Sequence, residues 1–258
     1  MEKTIESIRH FLLEDIFILN LLKGAGYTLA LTALSMPLAT VCGLLLAMMR
    51  LSRHKLLAWP AAAYIEVVRG TPLLMQIFLV YFSLPELGRW MHGQLEGLWP
   101  AAADALGPRF LTWPSFPVGV VCLAGNYAAY QAEIHRAGLE AVDRGQREAA
   151  LSLGMSERQA FFLVVLPQAF RIVVPPVIND LIAMLKDSSL VYAIGISELL
   201  TVALGIGRAR FTVPKMLVAA AIIYLVLSLG GYALGRWAEA ALRVKGRQEL
   251  AMGQDHGH

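Results

Sequence analysis

The groups in this chain able to do chemistry are ionisable and amide side chains set inside long apolar runs. Glu66 and Arg69 are the only charges between residues 56 and 84. Three apart, they share a helical face and can pair. Gly70-Thr71-Pro72 follows at once. Proline supplies no N–H and clashes with the preceding turn, so the helix should break or kink there. A broken span leaves backbone groups that suit a polar solute. Further on, Asn126, Tyr130 and Glu133 fall at i, i+4 and i+7, one face of a helix, with Gln131 nearby. Asn179-Asp180 and Lys186-Asp187 add two more polar pairs. Ionisable groups at membrane depth are costly and usually face a bundle interior or a cavity. Together these residues offer donors to a carboxylate and acceptors to an ammonium, the two needs of a zwitterion. Other readings stay open: a structural Glu66–Arg69 pair beside a kink, hydrogen bonding between helices, and a Glu133–Arg136 pair at the cytoplasmic boundary.

Covalent and metal chemistry find little support. His10, His54, His92, His135, His256 and His258 form no H-E-x-x-H or comparable set, so no metal site is expected, and the last two read as a disordered end. There is no nucleophile elbow and no convincing dyad, so no catalytic residue is nominated. No stretch fits G-x-x-x-x-G-K-[ST], so the chain should not bind ATP by a P-loop. Cys42 and Cys122 lie in apolar runs and are expected as buried free thiols. The net charge of +3 comes without a basic stripe interleaved with aromatics, so nucleic acid is not an expected partner.

The elements that must hold these groups are membrane helices. Hydrophobic residues make up 57% of the chain and charged ones 16%, whereas soluble domains run nearer half and a quarter. A hydrocarbon core of ~30 Å takes about 20 helical residues. Residues 24–49 carry no charge and form the first span, which should also be the insertion signal, since no signal-peptide layout precedes it. Residues 56–84, 110–132, 169–186 and 216–235 give four more. Residues 85–109 are more polar and read as an outer loop with room for a short helix. Residues 188–207 hold only Glu198 as a charge and are ambiguous. Lysine and arginine collect in cytoplasmic loops. Arg50, Arg53 and Lys55 therefore put the first loop inside and the N-terminus outside. With five spans the tail bearing Arg236, Arg243, Lys245 and Arg247 is inside; a sixth span would send it out and bring Arg208, Arg210 and Lys215 in. The expectation is an all-α integral membrane protein of about five spans. It is one domain over residues 1–258 with its core at 20–240, and the lipid bilayer is its solvent.

Between the third and fourth spans lies a charged amphipathic stretch, residues 140–168. Helix-forming residues 140–152 precede Gly154, which permits a left-handed stop. Ser156 with Gln159 is a capping box that starts a second helix, which meets Pro167. The sequence thus specifies helix, sharp turn, helix. Small Ala149 and Ala150 leave room for close approach by a partner surface, and Glu148 offers a charge at the elbow. An ordinary connection between spans would read the same way.

This stretch resembles the EAA loop of permease subunits of ABC importers, on Glu148-Ala149-Ala150, Gly154 and Leu166-Pro167. The run from Tyr64 to Leu74 (YIEVVRGTPLL) and the run Leu185-Lys186-Asp187-Ser188-Ser189-Leu190 with Gly195 and Glu198-Leu199 are similar to motifs of the polar-amino-acid (histidine/glutamine-type) subfamily. Together the similarities cover roughly residues 25–240. Departures are a longer outer segment from Pro85 to Arg109, and Ser188 where threonine is more usual. The resemblance implies a type I importer permease in a bacterial cytoplasmic (inner) membrane, paired with a second copy or a paralogous permease. Glu148, Ala149, Ala150, Gly154, Leu166 and Pro167 would form the coupling region for a separate ATP-binding subunit. That subunit would hold ATP and Mg, and this chain no cofactor. An extracytoplasmic solute-binding protein would deliver a polar amino acid. Glu66, Arg69, Thr71, Asn126, Tyr130, Glu133, Asn179 and Asp180 are the candidates for the substrate path. Physics alone leaves two rivals: an ion-driven secondary transporter using Glu66, Glu133 or Asp180, and an intramembrane enzyme. The helix–turn–helix favours the importer.

Overall fold

The structure, a computed structural model, describes residues 2–107 and 109–242. The end of the basic tail (Arg243, Lys245, Arg247), with His256 and His258, lies outside them. The described residues are helical, with no strand. Helix α1 (Glu2–Arg50) contains the first expected span. A short turn leads to α2 (Lys55–Arg69) and α3 (Leu73–Leu98), whose axes differ by 111° across Gly70-Thr71-Pro72. The break is the one Pro72 calls for. Its N–H is missing where the ladder would continue, and Pro72 is extended at ψ 135°.

Residues 85–109 differ from the expected loop. Helix α3 runs on through Pro85 to Leu98, and α4 (Pro100–Leu106) follows. The polar residues alternate with an apolar face: Glu86 and Arg89 pair on the exposed side, while buried Gly88 backs onto Leu111.

Helix α5 (Ser115–Glu140) is the packing centre. A Cβ on Gly43 of α1 would sit 2.9 Å from Gln131 Cβ and 3.0 Å from the Ala128 carbonyl, so α1 and α5 touch backbone to backbone. Gly138 of α5 instead receives the side chain of Val173 from α8. The main core joins Leu31, Met36, Ile77, Leu123, Tyr127, Met184 and Val191. Three helical stretches, Phe17–Arg50, Glu157–Ile194 and Val213–Ala240, are long and apolar enough to cross a membrane, and the bent α2–α3 pair makes a fourth. Helix α5 is of spanning length but more polar. Fourteen of its 26 residues, amides and small residues among them, are buried against neighbouring helices, so they are tolerated there. Cys122 of α5 is buried, whereas Cys42 is exposed on the outward face of α1, contrary to expectation.

After α5 come α6 (Arg144–Ser152), α7 (Glu157–Ala160), a π turn (Phe161–Val165) and α8 (Leu166–Asp187). The second helix of the expected helix–turn–helix does not stop at Pro167. It runs on as one rod from Glu157 to Ile194. The wide π turn, closed by the Leu166 N–H donating to the Phe161 carbonyl, loosens the ladder just where proline would crowd a regular one. Tight 3-10 turns (Ser188–Ile194) end at Gly195, φ +78°. Helix α9 (Leu199–Ala209) has 11 residues, roughly 16 Å of rise, too short to cross. The ambiguous residues 188–207 therefore do not span. Helix α10 (Val213–Leu242) closes the bundle against α8 and α9.

Glu198 explains the turn between α8 and α9. Fully buried, it caps α9 by accepting from the N–H groups of Leu200 (2.8 Å) and Thr201 (2.7 Å). It also accepts from the hydroxyls of Thr201 (2.9 Å) and of Tyr224 on α10 (2.7 Å). A buried carboxylate so satisfied is a structural clamp.

Candidate functional site

Two features stand out: a polar cavity at the broken helix and an exposed elbow. The cavity, about 560 Å³, is lined by Arg69, Gly70, Thr71, Pro72 and Leu73 from the break. Asn126, Tyr127 and Tyr130 line it from α5, and Asp180, Ala183 and Asp187 from α8. Its size falls within the usual range for small-molecule sites. Of the eight path candidates, Arg69, Thr71, Asn126, Tyr130 and Asp180 line it; Glu66, Glu133 and Asn179 do not.

The break is held open by Gln76. Its amide donates to the carbonyls of Val68 (2.8 Å) and Thr71 (3.1 Å) and to Thr71 Oγ1 (2.9 Å). Its Oε1 accepts from Asn126 Nδ2 at 3.0 Å. Thr71 Oγ1 in turn donates to the Val67 carbonyl at 2.9 Å. Carbonyls that a continuous helix would have satisfied are thus capped by side chains. The N-terminus of α3 has no side-chain cap, so its first N–H groups and positive dipole end remain available beside the cavity. The sequence singled out neither Gln76 nor Tyr127. A lone amide one turn after a proline break, inside an apolar run, is the signal that could have found Gln76.

The expected Glu66–Arg69 pair is absent. Arg69 instead lies over the ring of Tyr130, 5.4 Å from its centroid, a cation–π contact. Glu66 faces Arg50 at 3.6 Å. Arg50, ending α1, also pairs with Glu133 at 2.9 Å. The expected Glu133–Arg136 pair is present at 2.8 Å and extends to Glu140 at 2.7 Å. These charges tie together the ends of α1, α2 and α5 near the elbow. Asn179 is exposed, one residue off the face of α8 that carries Asp180. On the cavity wall, Asp187 accepts from the Tyr127 hydroxyl at 2.8 Å. Asp180 Oδ2 is buried without a hydrogen-bond partner. Among the described residues no His, Cys, Asp and Glu group is arranged to hold a metal.

The elbow follows its expected chemistry. Asp143 Oδ1 accepts from the Gly145 N–H at 2.6 Å and starts α6. Gly154 takes φ +84°. The Ser156–Gln159 capping box is complete, with the Ser156 N–H donating to Gln159 at 2.9 Å and the Gln159 N–H donating to Ser156 at 3.3 Å. Arg147 bridges the turn to Glu157 at 2.6 Å. Glu148, Ala149, Leu153 and Gly154 are exposed, as is Pro167, with Leu166 half-buried. Ala150 differs from expectation. It is buried within the chain, so its small size serves packing under the elbow, and only Ala149 of the pair faces outward.

The fold and these two features define a helical membrane transport component. Residues 39–244 match the family of binding-protein-dependent transport system inner membrane components, and the chain belongs to that family. It is 34% identical over 223 residues to the arginine transport system permease protein ArtQ of Bacillus subtilis (strain 168), covering 86% of this chain and 92% of the relative. It is 35% identical over 209 residues to the glutamate/aspartate import permease protein GltK of Escherichia coli O157:H7, covering 81% and 87%. Among solved structures, an amino acid ABC transporter crystallised with histidines aligns at TM-score 0.76 and 35% identity, covering 90% of this chain and 98% of that one. The inward-facing MetNI methionine transporter aligns at TM-score 0.61 and 19% identity, covering 88% and 98%, a likeness of fold alone.

Proposed function

We propose that this chain is the permease subunit of an ATP-driven importer of polar amino acids, with the cavity at the α2–α3 break as its substrate site. Support for the cargo class comes from relatives named for arginine and for glutamate/aspartate and from the donors and acceptors on the cavity wall. The observation that carries the reading is mechanical. One rod, Glu157–Ile194, begins at the exposed elbow and ends at the cavity, where it contributes Asp180 and Asp187. A push on α6 reaches this rod through the Gly154 turn, and from Glu157 the helix continues, through one π turn, to the two carboxylates. A P-loop ATPase subunit, holding ATP and Mg, docks on the elbow through Glu148, Ala149 and Leu153. A second permease copy or a paralogue pairs with this one, and an extracytoplasmic solute-binding protein delivers cargo to the outer face. In this reading the N-terminus is outside and the tail cytoplasmic, in a bacterial inner membrane.

The test is affinity purification in mild detergent, with mass spectrometry of the co-purifying chains and an ATPase assay. Recovery of a P-loop subunit, with hydrolysis stimulated by a binding protein plus an amino acid, is expected. A chain that purifies alone, hydrolyses nothing and drives amino-acid uptake into liposomes from an ion gradient would replace this reading with a secondary transporter.

A further inference from the structure

We infer that the cavity selects a cationic amino acid, one with a basic side chain, and that Asp180 is the specificity-determining residue. This rests on the importer reading above and narrows its cargo. The cavity wall holds one cation, Arg69, and two carboxylates, Asp180 and Asp187. An α-carboxylate has a ready seat at the break, where the Arg69 guanidinium and the uncapped N-terminus of α3 converge. Asp187, already oriented by the Tyr127 hydroxyl, is placed to take an α-ammonium. A neutral zwitterion would then leave Asp180 unmatched.

Among the described residues, no cation forms an ion pair with Asp180. Its Oδ2 has no hydrogen-bond partner. Lys186 is exposed and does not line the cavity. The ionic cluster of Arg50 and Arg136 is matched by Glu66, Glu133 and Glu140, so it has no positive charge to spare. A carboxylate oxygen shut off from water and left unpaired is costly, and a guanidinium or ammonium on the cargo side chain would relieve it. An acidic cargo would instead bring a second negative charge against Asp180.

The experiment is uptake by the complete importer, both permease positions, ATPase and binding protein, in proteoliposomes. The cargoes are L-arginine, L-citrulline, L-glutamine and L-glutamate. Citrulline keeps the shape of arginine and removes its charge. Arginine is expected to be carried best, with citrulline weaker in kcat/KM by roughly thirtyfold or more, as when one partner of a buried charge pair is lost. Asp180→Asn should lower arginine uptake by a similar factor and shrink the arginine–citrulline gap. If glutamine or glutamate is carried and arginine is not, or citrulline equals arginine, the charge inference is overturned while the importer reading stands. Unchanged arginine preference in an assembled Asp180→Asn complex would also overturn it. If that variant fails to assemble, the wild-type panel decides. Uptake of none of the four would remove the amino-acid reading and this inference with it.

Discussion

Substitution of Gly154 by valine tests whether the elbow must be rigid to be useful. Gly154 has φ +84°, and a Cβ built there meets nothing within 4 Å. Crowding is therefore not the issue; the whole effect is the backbone conformation. An L-residue in the left-handed region costs roughly 1–2 kcal/mol, and a β-branched one is a genuine outlier there. Gly154→Val should therefore reduce the population of the observed elbow by about 5- to 30-fold. The Arg147–Glu157 bridge and the Ser156–Gln159 box resist that change but act on the same turn, so they would be strained along with it. The core is remote from this exposed turn, and the spans should stay folded.

The assay is affinity of the purified permease for its ATPase subunit, measured beside the permease's thermal unfolding. Gly154→Val should weaken association about 5- to 30-fold with little change in Tm. Gly154→Asn, which tolerates the left-handed region, should fall between valine and wild type. Valine and wild type binding equally would refute the claim that the turn's conformation presents the docking surface. A loss of Tm equal to the loss of binding would show instead that the turn merely supports the fold.

Three further outcomes are expected. Glu198→Ala strands two backbone N–H donors and the Tyr224 hydroxyl in the interior; combining a lost cap with a lost charged hydrogen bond, it should destabilise by about 2–5 kcal/mol, read as a fall in Tm, and Glu198→Gln should recover part of it. Gly43→Leu forces side-chain atoms into the Gln131 and Ala128 backbone contact and should destabilise by about 1–3 kcal/mol or more; a Tm equal to wild type would mean that α1 and α5 are not in close contact. Trimming residues 85–106 should change binding-protein-stimulated transport while sparing basal ATP hydrolysis, and a cysteine placed at exposed Trp90 or Trp99 should react with a membrane-impermeant label in intact cells; protection of both sites would contradict an outer placement.

What the sequence made legible follows the range of the interactions involved. The break at Gly70-Thr71-Pro72 and the stop and restart at Gly154 and Ser156 are local: each depends on a missing N–H, a positive φ or a capping side chain within three residues. Both could be read directly. Long polar helices were harder. Residues 85–106 look like a loop because they are charged, and only burial of Gly88 against Leu111 reveals the apolar face that makes them a helix. Helix α5 escapes that limit: its amides and small residues dilute its hydropathy, but residues 110–132 carry no charge and read as a span.

Charge pairing depended most on tertiary structure. Spacing brings Glu66 and Arg69 onto one face, but it is silent about Arg50, which arrives from the end of α1 and takes both Glu66 and Glu133. Freed from Glu66, Arg69 turns to Tyr130 and the cavity. Asp180 and Asp187, by contrast, stand at i and i+7 on one face of α8, so spacing alone brings both to the cavity wall. The cavity's charge balance is thus a product of which helix ends meet. It would change if Arg50 were removed: Glu66 and Glu133 would then compete for Arg69, and the carboxylate seat at the break would lose its cation. Arg50→Ala, far from the cargo in sequence, should therefore raise KM for cargo more than it lowers kcat. An unchanged KM would show that Arg69 is held by Tyr130 alone.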